Sequence, residues 1–584
     1  MHLHQSKRKN GRVYLTLMSS YRKDGKTLKK TVESLGYLDE LEARYDDPIA
    51  HFRAVCEERN AEERASRQAV PIELHPMEKI DKRAAGRKNV GSAALLAVYN
   101  AMGVEQALRN AARGKRLGFD LNAVMRLLVC ERVLSPGSKL AAFKNKDRYF
   151  FRSEFGLHDV YRALTELAPL KGRVVSAVNR HVDSLGARDT AHVFYDVTNY
   201  YFECDPDGDA TSEDGAVEPG LRKHGCSKEH RPNPIVQMGL LQDGNGVPIG
   251  YELFPGNTND CSTMLDVLSG MKRDYGVERV IAVADKGLNT ATNIAACVGR
   301  GDGFVYSQSI RGTKSPAGLR DWATSEKGYR EAGEGFRIKS RQDTKVISVE
   351  GPDGKGVDVE VPVKVVAFWS LKYQRRARAL RAKTVEEAQR LAGSPAAYGA
   401  HASYGAGKYV KETPIDPATG EVGKTVLSFD EGRLAEDEAC DGYYCIVTSE
   451  TGMADEDVID VYRGLWRIEE SFRVAKSDLE TRPVYVRSRE HIEAHFLTCY
   501  VALCVLRLLQ LRTGNRYSAG AIATELAQMC GSNVDGNWWL FDHRTDASDD
   551  ICASVGLDLT KRFMQLQDIK KVLAQANGKQ RSTT

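Results

Sequence analysis

Paired cysteines are missing from this 584-residue sequence: its twelve cysteines are scattered and include no CxxC, which excludes a CxxC metal or redox motif. Several sit in apolar runs such as LTCYVALCVLRLL (497–509), which suits reduced, buried thiols in a cytoplasmic protein. No run reaches the roughly 18 uninterrupted apolar residues of a membrane span, because FLTCYVALCVLRLLQL (496–511) is broken by polar residues and an arginine. That segment is expected to be a core helix, with no membrane partner. The N-terminus, MHLHQSKRKNGRVYLTL, is basic and lacks the apolar stretch of a signal peptide. A strong global field is missing too: 83 basic and 79 acidic residues leave a net charge of +4. A nucleic-acid partner would therefore be met by local basic patches. There is no internal repeat. What is present is a globular composition, 42% hydrophobic and 28% charged, in a chain long enough for several domains.

The pattern changes character along the chain. RVYLTLMSSY and TLKKTVESLGY alternate like two strands around RKDGK, a hairpin signal, and Lys7, Arg8, Lys9, Arg22, Lys23, Lys29 and Lys30 make this piece basic. From about 90 to 185, apolar residues recur three and four apart, as in LNAVMRLLVCERVLS, and predict helices. Strands and helices then mix: HVFYDVTNYYF (192–202), IVQMGLLQ (235–242), VPIGYELF (247–254) and RVIAVAD (279–285) read as strands, with helices before and after the last. Short strands and turns around one very basic helix fill 311–441, and GYYCIVTSE (442–450) reads as a strand returning to the parent sheet. The expected division is a hairpin and linker over 1–88, a helical region over 89–188, and an α/β core in two parts, 189–310 and 442–515. A β-rich insertion over 311–441 separates those parts, and a helical tail covers 516–584.

Three carboxylates stand out. Asp196 lies inside an apolar and aromatic strand, where burial is costly unless the group is paired, hydrogen-bonded or bound to metal; capping a turn is the alternative. Asp285 ends the strand RVIAVAD, at the carboxyl end where α/β sites form, or merely caps the next turn. The third comes from YRGLWRIEESFRVAK (462–476). On one helix at about 100° per residue, Val461, Leu465, Ile468, Phe472, Ala475 and Leu479 form an apolar stripe. Tyr462, Trp466, Glu469, Arg473 and Lys476 run beside it. This phase nominates Glu469, turns Glu470 toward solvent and predicts that Glu470→Gln is nearly silent. The competing reading makes Glu469 and Arg473 an ordinary i,i+4 surface ion pair. Three convergent carboxylates without a His/Cys cluster would suit hard divalent cations, Mg²⁺ or Mn²⁺.

The ordered set YDVTNYYFE (195–203), ADKG (284–287) and Y-x2-L-W-R-I-E-x2-F-x3-K (462–476) resembles the DDE transposases of bacterial insertion sequences, in the branch with a Y-R-E-K signature. GCSKEHRPNPIVQMGLL (225–241) and PGNTND (255–260) are similar to segments of the same group. The resemblance spans roughly residues 190–510. It implies a ribonuclease H-like mixed-sheet core interrupted by a β-rich insertion; the mainly helical region 89–188 ahead of it is the expected DNA-end-binding part. It also implies that Asp196, Asp285 and Glu469 hold two Mg²⁺ (or Mn²⁺) ions. Those ions serve nicking at the element's terminal inverted repeats and then attack of the freed 3′-OH on target DNA, within a homodimeric synaptic complex. Tyr462 and Lys476 would contact phosphates near the cut. The signature arginine is replaced by Leu465; Arg463 and Arg467 point away from the stripe, which leaves Arg473 as the better-placed substitute.

Arg375, Arg376, Arg378, Arg381 and Lys383 gather on the basic helix as either a solvated face or a phosphate-binding surface. Trp369 is expected to pack in the core, with base stacking as the alternative. His224, Cys226 and His230 lack a second ligand pair for zinc, and DGNGV (243–247) is a turn with no phosphate-loop helix after it. Two other functions share these motifs: a non-catalytic DNA-binding derivative, which the presence of all three acids opposes, and a structure-specific nuclease that cleaves without joining.

Overall fold

The computed structural model describes the chain except residues 9–10, 24–25, 67–76, 78, 80–85, 187, 205–206, 209, 212–216, 219, 227–230, 260–262, 276–278, 313–314, 351–354, 394–404, 416–421, 536 and 579–584. It forms two compact units, Met1–Lys82 and Arg83–Thr584.

In the first unit, β1 (His2–Lys7), β2 (Val13–Lys23) and β3 (Lys26–Tyr37) make an antiparallel sheet in that order. The expected pair of strands is present, preceded by one the sequence pattern did not reveal; the tip residues Asp24 and Gly25 lie outside the described residues. Leu15 and Leu17 are buried, as are Leu41 and Cys56, the latter on the helix Pro48–Ser66. Arg12 lies 3.9 Å over the Tyr37 ring and bonds Asp39 and Glu40, each at 2.7 Å, which pins the end of the meander.

The second unit is organised by a nine-stranded mixed sheet. After a short β4 (Arg87–Asn89), the sheet strands begin with β5 (His192–Tyr201). A two-residue pair, β6 (Ala210–Thr211) and β7 (Val217–Glu218), leads to β8 (Ile235–Gln242), β9 (Pro248–Pro255), β10 (Ile281–Ala284) and β11 (Gly303–Gln308). Then follow β12 (Arg330–Gly333), β13 (Phe336–Glu350), β14 (Gly356–Ser370), the separate pair β15 (Val410–Ile415) and β16 (Val422–Phe429), and β17 (Tyr443–Thr448). The order across the sheet is β12-β13-β14-β17-β11-β10-β5-β8-β9. Only β5, β10 and β11 run parallel to one another; every other neighbouring pair is antiparallel.

Both faces of the central strands are covered, which is why they read as continuous apolar runs. Phe194, Tyr200, Ile281, Val283 and Val305 face one core, shared with the helices of 92–184 and the 24-residue helix Arg489–Arg512. Val193, Tyr195, Val197, Ala282 and Phe304 face the other, with Ile294 of Ala291–Gly299 and Leu268 of Met264–Tyr275. The most apolar window of Arg489–Arg512 is 94% buried, in keeping with its expected place in the core. The strand GFVYSQ escaped the sequence pattern, yet it sits at the centre of the sheet.

Residues 311–441 do not stand apart as small strands and turns. β13 and β14 are 15-residue arms of one hairpin that adds to the sheet through β17. The basic helix Leu371–Ala392 follows directly, and one member of its expected basic face is turned inward. Arg381 is 9% exposed and pairs bidentately with the fully buried Asp441. Trp369 receives the Arg337 guanidinium 4.4 Å from its ring. At the C-terminal end, β18 (Cys530–Asp535), β19 (Trp538–Phe541) and β20 (Phe563–Gln565) form a sheet with β4, and Trp539 packs into the main core.

One buried charge makes stability depend on pH. Lys139 is 4% exposed, 3.2 Å from His495 Nδ1, and burial, then the nearby Arg132, pushes its ammonium down to about 7. An unfolded lysine titrates near 10.4. Between those values the unfolded chain holds a proton that the folded chain has released, so this group makes stability rise with pH from about 7 to 10. Lys139→Met is expected to raise the melting temperature at pH 7 by about 2–4 °C. That advantage should shrink at pH 9; thermal melts giving the same difference at both pH values would refute this.

Candidate active site

The carboxylates are placed by register. Val283 of β10 pairs with Phe194 of β5, and Ala284 of β10 pairs with Tyr306 of β11. Continuing both ladders past Ala284 sets Asp285 beside Asp196 on one side and Ser307 on the other, at the usual strand spacing of about 4.8 Å. Phe194, Val283 and Val305, each two residues earlier, all belong to the helix-covered core. With side chains alternating faces, Asp196, Asp285 and Ser307 form a row on that same face. Ser307 Oγ donates to Asp285 Oδ1 at 3.0 Å and Tyr462 Oη donates to the same oxygen at 3.4 Å. Asp196 accepts from its own neighbour, Val197 N, at 2.8 Å.

The segment above the row is not one continuous helix, as its sequence phase predicted. Asp455–Arg463 ends at Gly464, Trp466–Arg473 follows, and Val474–Asp478 closes as a π turn. The join is tightened by bonds of 3₁₀ type, Leu465 N to Tyr462 O and Arg467 N to Gly464 O. The reason is close approach: a Cβ on Gly464 would lie 2.4 Å from Phe194 Cζ, so only glycine lets this backbone rest on β5. Twelve residues later Lys476 Nζ stands 5.6 Å from the Tyr200 ring centroid. The helix therefore tracks β5 in the same direction. Glu469, five residues or about 7.5 Å beyond Gly464, is level with the second strand residue past Phe194, which is Asp196.

The two glutamates have distinct surroundings, and Glu470 corrects the expectation that it faces solvent. Its side chain is 24% exposed and accepts from Arg507 at 3.3 Å. Glu469 is exposed and makes no ion pair among the described residues. Its expected competitor role, pairing with Arg473, is contradicted, because Arg473 turns to Asp478 at 3.4 Å and Glu470 at 3.9 Å. The charges of Asp285 and Glu469 both reach Tyr444: its phenol is pushed up by burial first, then by Asp285, with Glu469 a smaller contributor. Tyr462 is likewise raised, mainly by burial and also by Asp285.

Asp285 is thus bonded by two neutral hydroxyls, and no cation pairs with it among the described residues. The donor types, three carboxylates and no histidine or cysteine, fit a hard divalent ion. Among the described residues, however, no three acidic, histidine or cysteine side chains are gathered closely enough to hold one. Leu465, at the signature's arginine position, is 8% exposed and part of the core. Arg463 lies over Phe336 at 4.8 Å and Arg467 over Trp466 at 5.4 Å, both engaged away from Asp285. Arg375 and Arg376 are exposed, whereas Arg378 leans toward Asp441 at 3.9 Å.

Beside Asp285 opens a cavity of about 170 Å³ whose lining includes Lys286, Ser307, Arg311, Tyr373 and Tyr444, joining the core strands to the basic helix. Ser307 and Tyr444 were not among the expected site residues. The polar serine closing an otherwise apolar strand was the available signal for the first. His224 of the HGCSKEH segment bonds Asp207 at 2.8 Å, and His230 lies outside the described residues.

Two family models match this chain. Residues 3–70 match the N-terminal domain of IS1634 family transposases, and residues 219–505 match the transposase DDE domain, a span that includes Asp285 and Glu469 and begins after Asp196. No curated protein matches it.

Proposed function

The chain belongs to the DDE transposases of insertion sequences, and from that premise we propose that Asp196, Asp285 and Glu469 are its catalytic carboxylates. The observation that carries this reading is the row Asp196–Asp285–Ser307 beneath the helix that bears the exposed Glu469 and whose approach brings Gly464 against Phe194 of β5. The strand order β9-β8-β5-β10-β11, with β8 alone antiparallel to both its neighbours, supports a ribonuclease H-like core. The insertion then extends that core at the β11 edge through β17.

The reaction proposed is phosphodiester chemistry in two steps. Water attacks phosphorus at the element's end, the P–O3′ bond breaks and a 3′-OH is released. That hydroxyl then attacks a target phosphodiester, forming one P–O bond as the target's own P–O3′ bond breaks. Two Mg²⁺ or Mn²⁺ ions on the three carboxylates would supply Lewis-acid stabilisation of the charge developing on the phosphate and the leaving oxygen. The chain's own groups orient the site: Ser307 and Tyr462 fix Asp285 by hydrogen bonds, and Gly464 lets Glu469 descend onto β5. Lys476, beside Tyr200, and the exposed Arg375 and Arg376 are proposed to meet DNA phosphates, as is Tyr462 at the edge of the site. Arg473 and Arg378 can join only by leaving Asp478 and Asp441.

Incubating the full chain with end-labelled terminal inverted repeats, target DNA and Mg²⁺ tests this reading. Cleaved ends and joined products are expected. Cleavage without joining would mean a nuclease, and binding without cleavage would mean a non-catalytic derivative.

A further inference from the structure

The helix bearing Glu469 is eight residues long, bounded by a 3₁₀-type join and a π turn, so the regular 100° phase of the flanking segments does not carry through it unchanged. Its inner side is instead tied by a buried polar network. Arg507, on Arg489–Arg512, donates Nη1 to Glu470 Oε2 at 3.3 Å and to Gln510 Oε1 at 2.9 Å, and Nη2 to Ser471 Oγ at 2.8 Å. Gln242 of β8 donates Nε2 to the same Ser471 hydroxyl. The Arg507 side chain is 10% exposed, while Gln242 and Ser471 are fully buried. An ionic network in such a place gives little net stability over apolar side chains of equal volume. What it does fix is geometry, because the helix cannot turn without breaking two charge-assisted bonds and a buried hydroxyl's contacts.

We propose that Arg507, through Glu470 and Ser471, is a positioning residue that sets the rotation of this helix and so holds Glu469 toward Asp196 and Asp285. The proposal rests on Glu469 being the third catalytic carboxylate. A rotation of about 20° moves a side-chain tip about 5–6 Å from the helix axis by about 2 Å. A misplacement of about 1 Å at a reacting centre costs about a hundredfold in rate.

The test uses the full chain as Arg507→Met and Arg507→Lys, with Glu469→Gln as reference. Four quantities are measured: cleavage turnover, DNA affinity, melting temperature, and Mn²⁺ binding followed by water-proton relaxation without DNA. Arg507→Met is expected to lose about a hundredfold in turnover and about tenfold in Mn²⁺ affinity, with DNA affinity kept within about twofold. Arg507→Lys should recover part of both losses, since one ammonium can still pair with Glu470. Unchanged Mn²⁺ affinity, or turnover falling only as far as the melting temperature accounts for, would overturn the proposal. The two readings separate cleanly. Normal cleavage by Glu469→Gln would refute the site itself, whereas an inactive Glu469→Gln beside a wild-type-like Arg507→Met would refute only the positioning role.

Discussion

Glu469→Gln is expected to lower DNA cleavage by about a thousandfold or more, several kcal/mol of transition-state stabilisation, while DNA affinity stays within about twofold. The amide keeps the size and shape of the side chain and removes its charge. Because Glu469 is exposed and makes no ion pair among the described residues, that charge supports no fold contact whose loss would confuse the result. The melting temperature should therefore be unchanged. The neighbouring Glu470→Gln makes the contrast sharp. It leaves Arg507 buried against a neutral acceptor, so it should lower the melting temperature and reduce cleavage about tenfold, through position and not through a lost ligand. Gel-resolved cleavage of a labelled end, measured beside binding and thermal melts for both variants, decides the matter. Equal losses from the two substitutions would remove the basis for assigning the chemistry to Glu469.

That contrast also marks how far the sequence could be read. Alternation and apolar runs located β5, β8, β9 and β10 to within about two residues, because each is an uninterrupted strand covered on both faces. The same signals placed Asp196 within a strand and Asp285 at a strand end. GFVYSQ is not marked by those signals although it is the strand beside Asp285, so Ser307 is not marked either. The helical phase of 461–479 selected Glu469 for a reason that was only partly valid. A uniform 100° step cannot see a tightened join at Gly464–Leu465 or a π turn at Val474–Asp478. Nor can it see Arg507, 37 residues away from Glu470, which turns that glutamate from an outer-face residue into a half-buried partner. Arg381 failed in the same way, since its partner Asp441 lies 60 residues further on. Local periodicity reports which stripe is apolar; it does not report which charged residue next to that stripe has a buried partner.

Gly464→Val is expected to be the most damaging single change outside the carboxylates. No unusual dihedral is at stake, because Gly464 has φ −54° and ψ −19°, an ordinary helical conformation. The constraint is contact: a Cβ would stand 2.4 Å from Phe194 Cζ, 2.7 Å from Phe194 Cε1 and 2.9 Å from the Val461 carbonyl oxygen. Phe194 is 2% exposed and sealed in the core, so the ring has no space into which to retreat. The backbone must lift off β5 instead, at a cost of about 2–3 kcal/mol for overpacking. Lifting the join raises Glu469 from Asp196 and pulls Tyr462 from Asp285, so cleavage should fall about a hundredfold even in the fraction that remains folded. Phe194→Leu supplies the decisive control, because it opens space at the point of contact. Combined with Gly464→Ala, it should restore part of both the melting temperature and the cleavage rate that Gly464→Ala alone removes. A double variant no better than Gly464→Ala would mean that the glycine serves something other than the approach of this helix to β5.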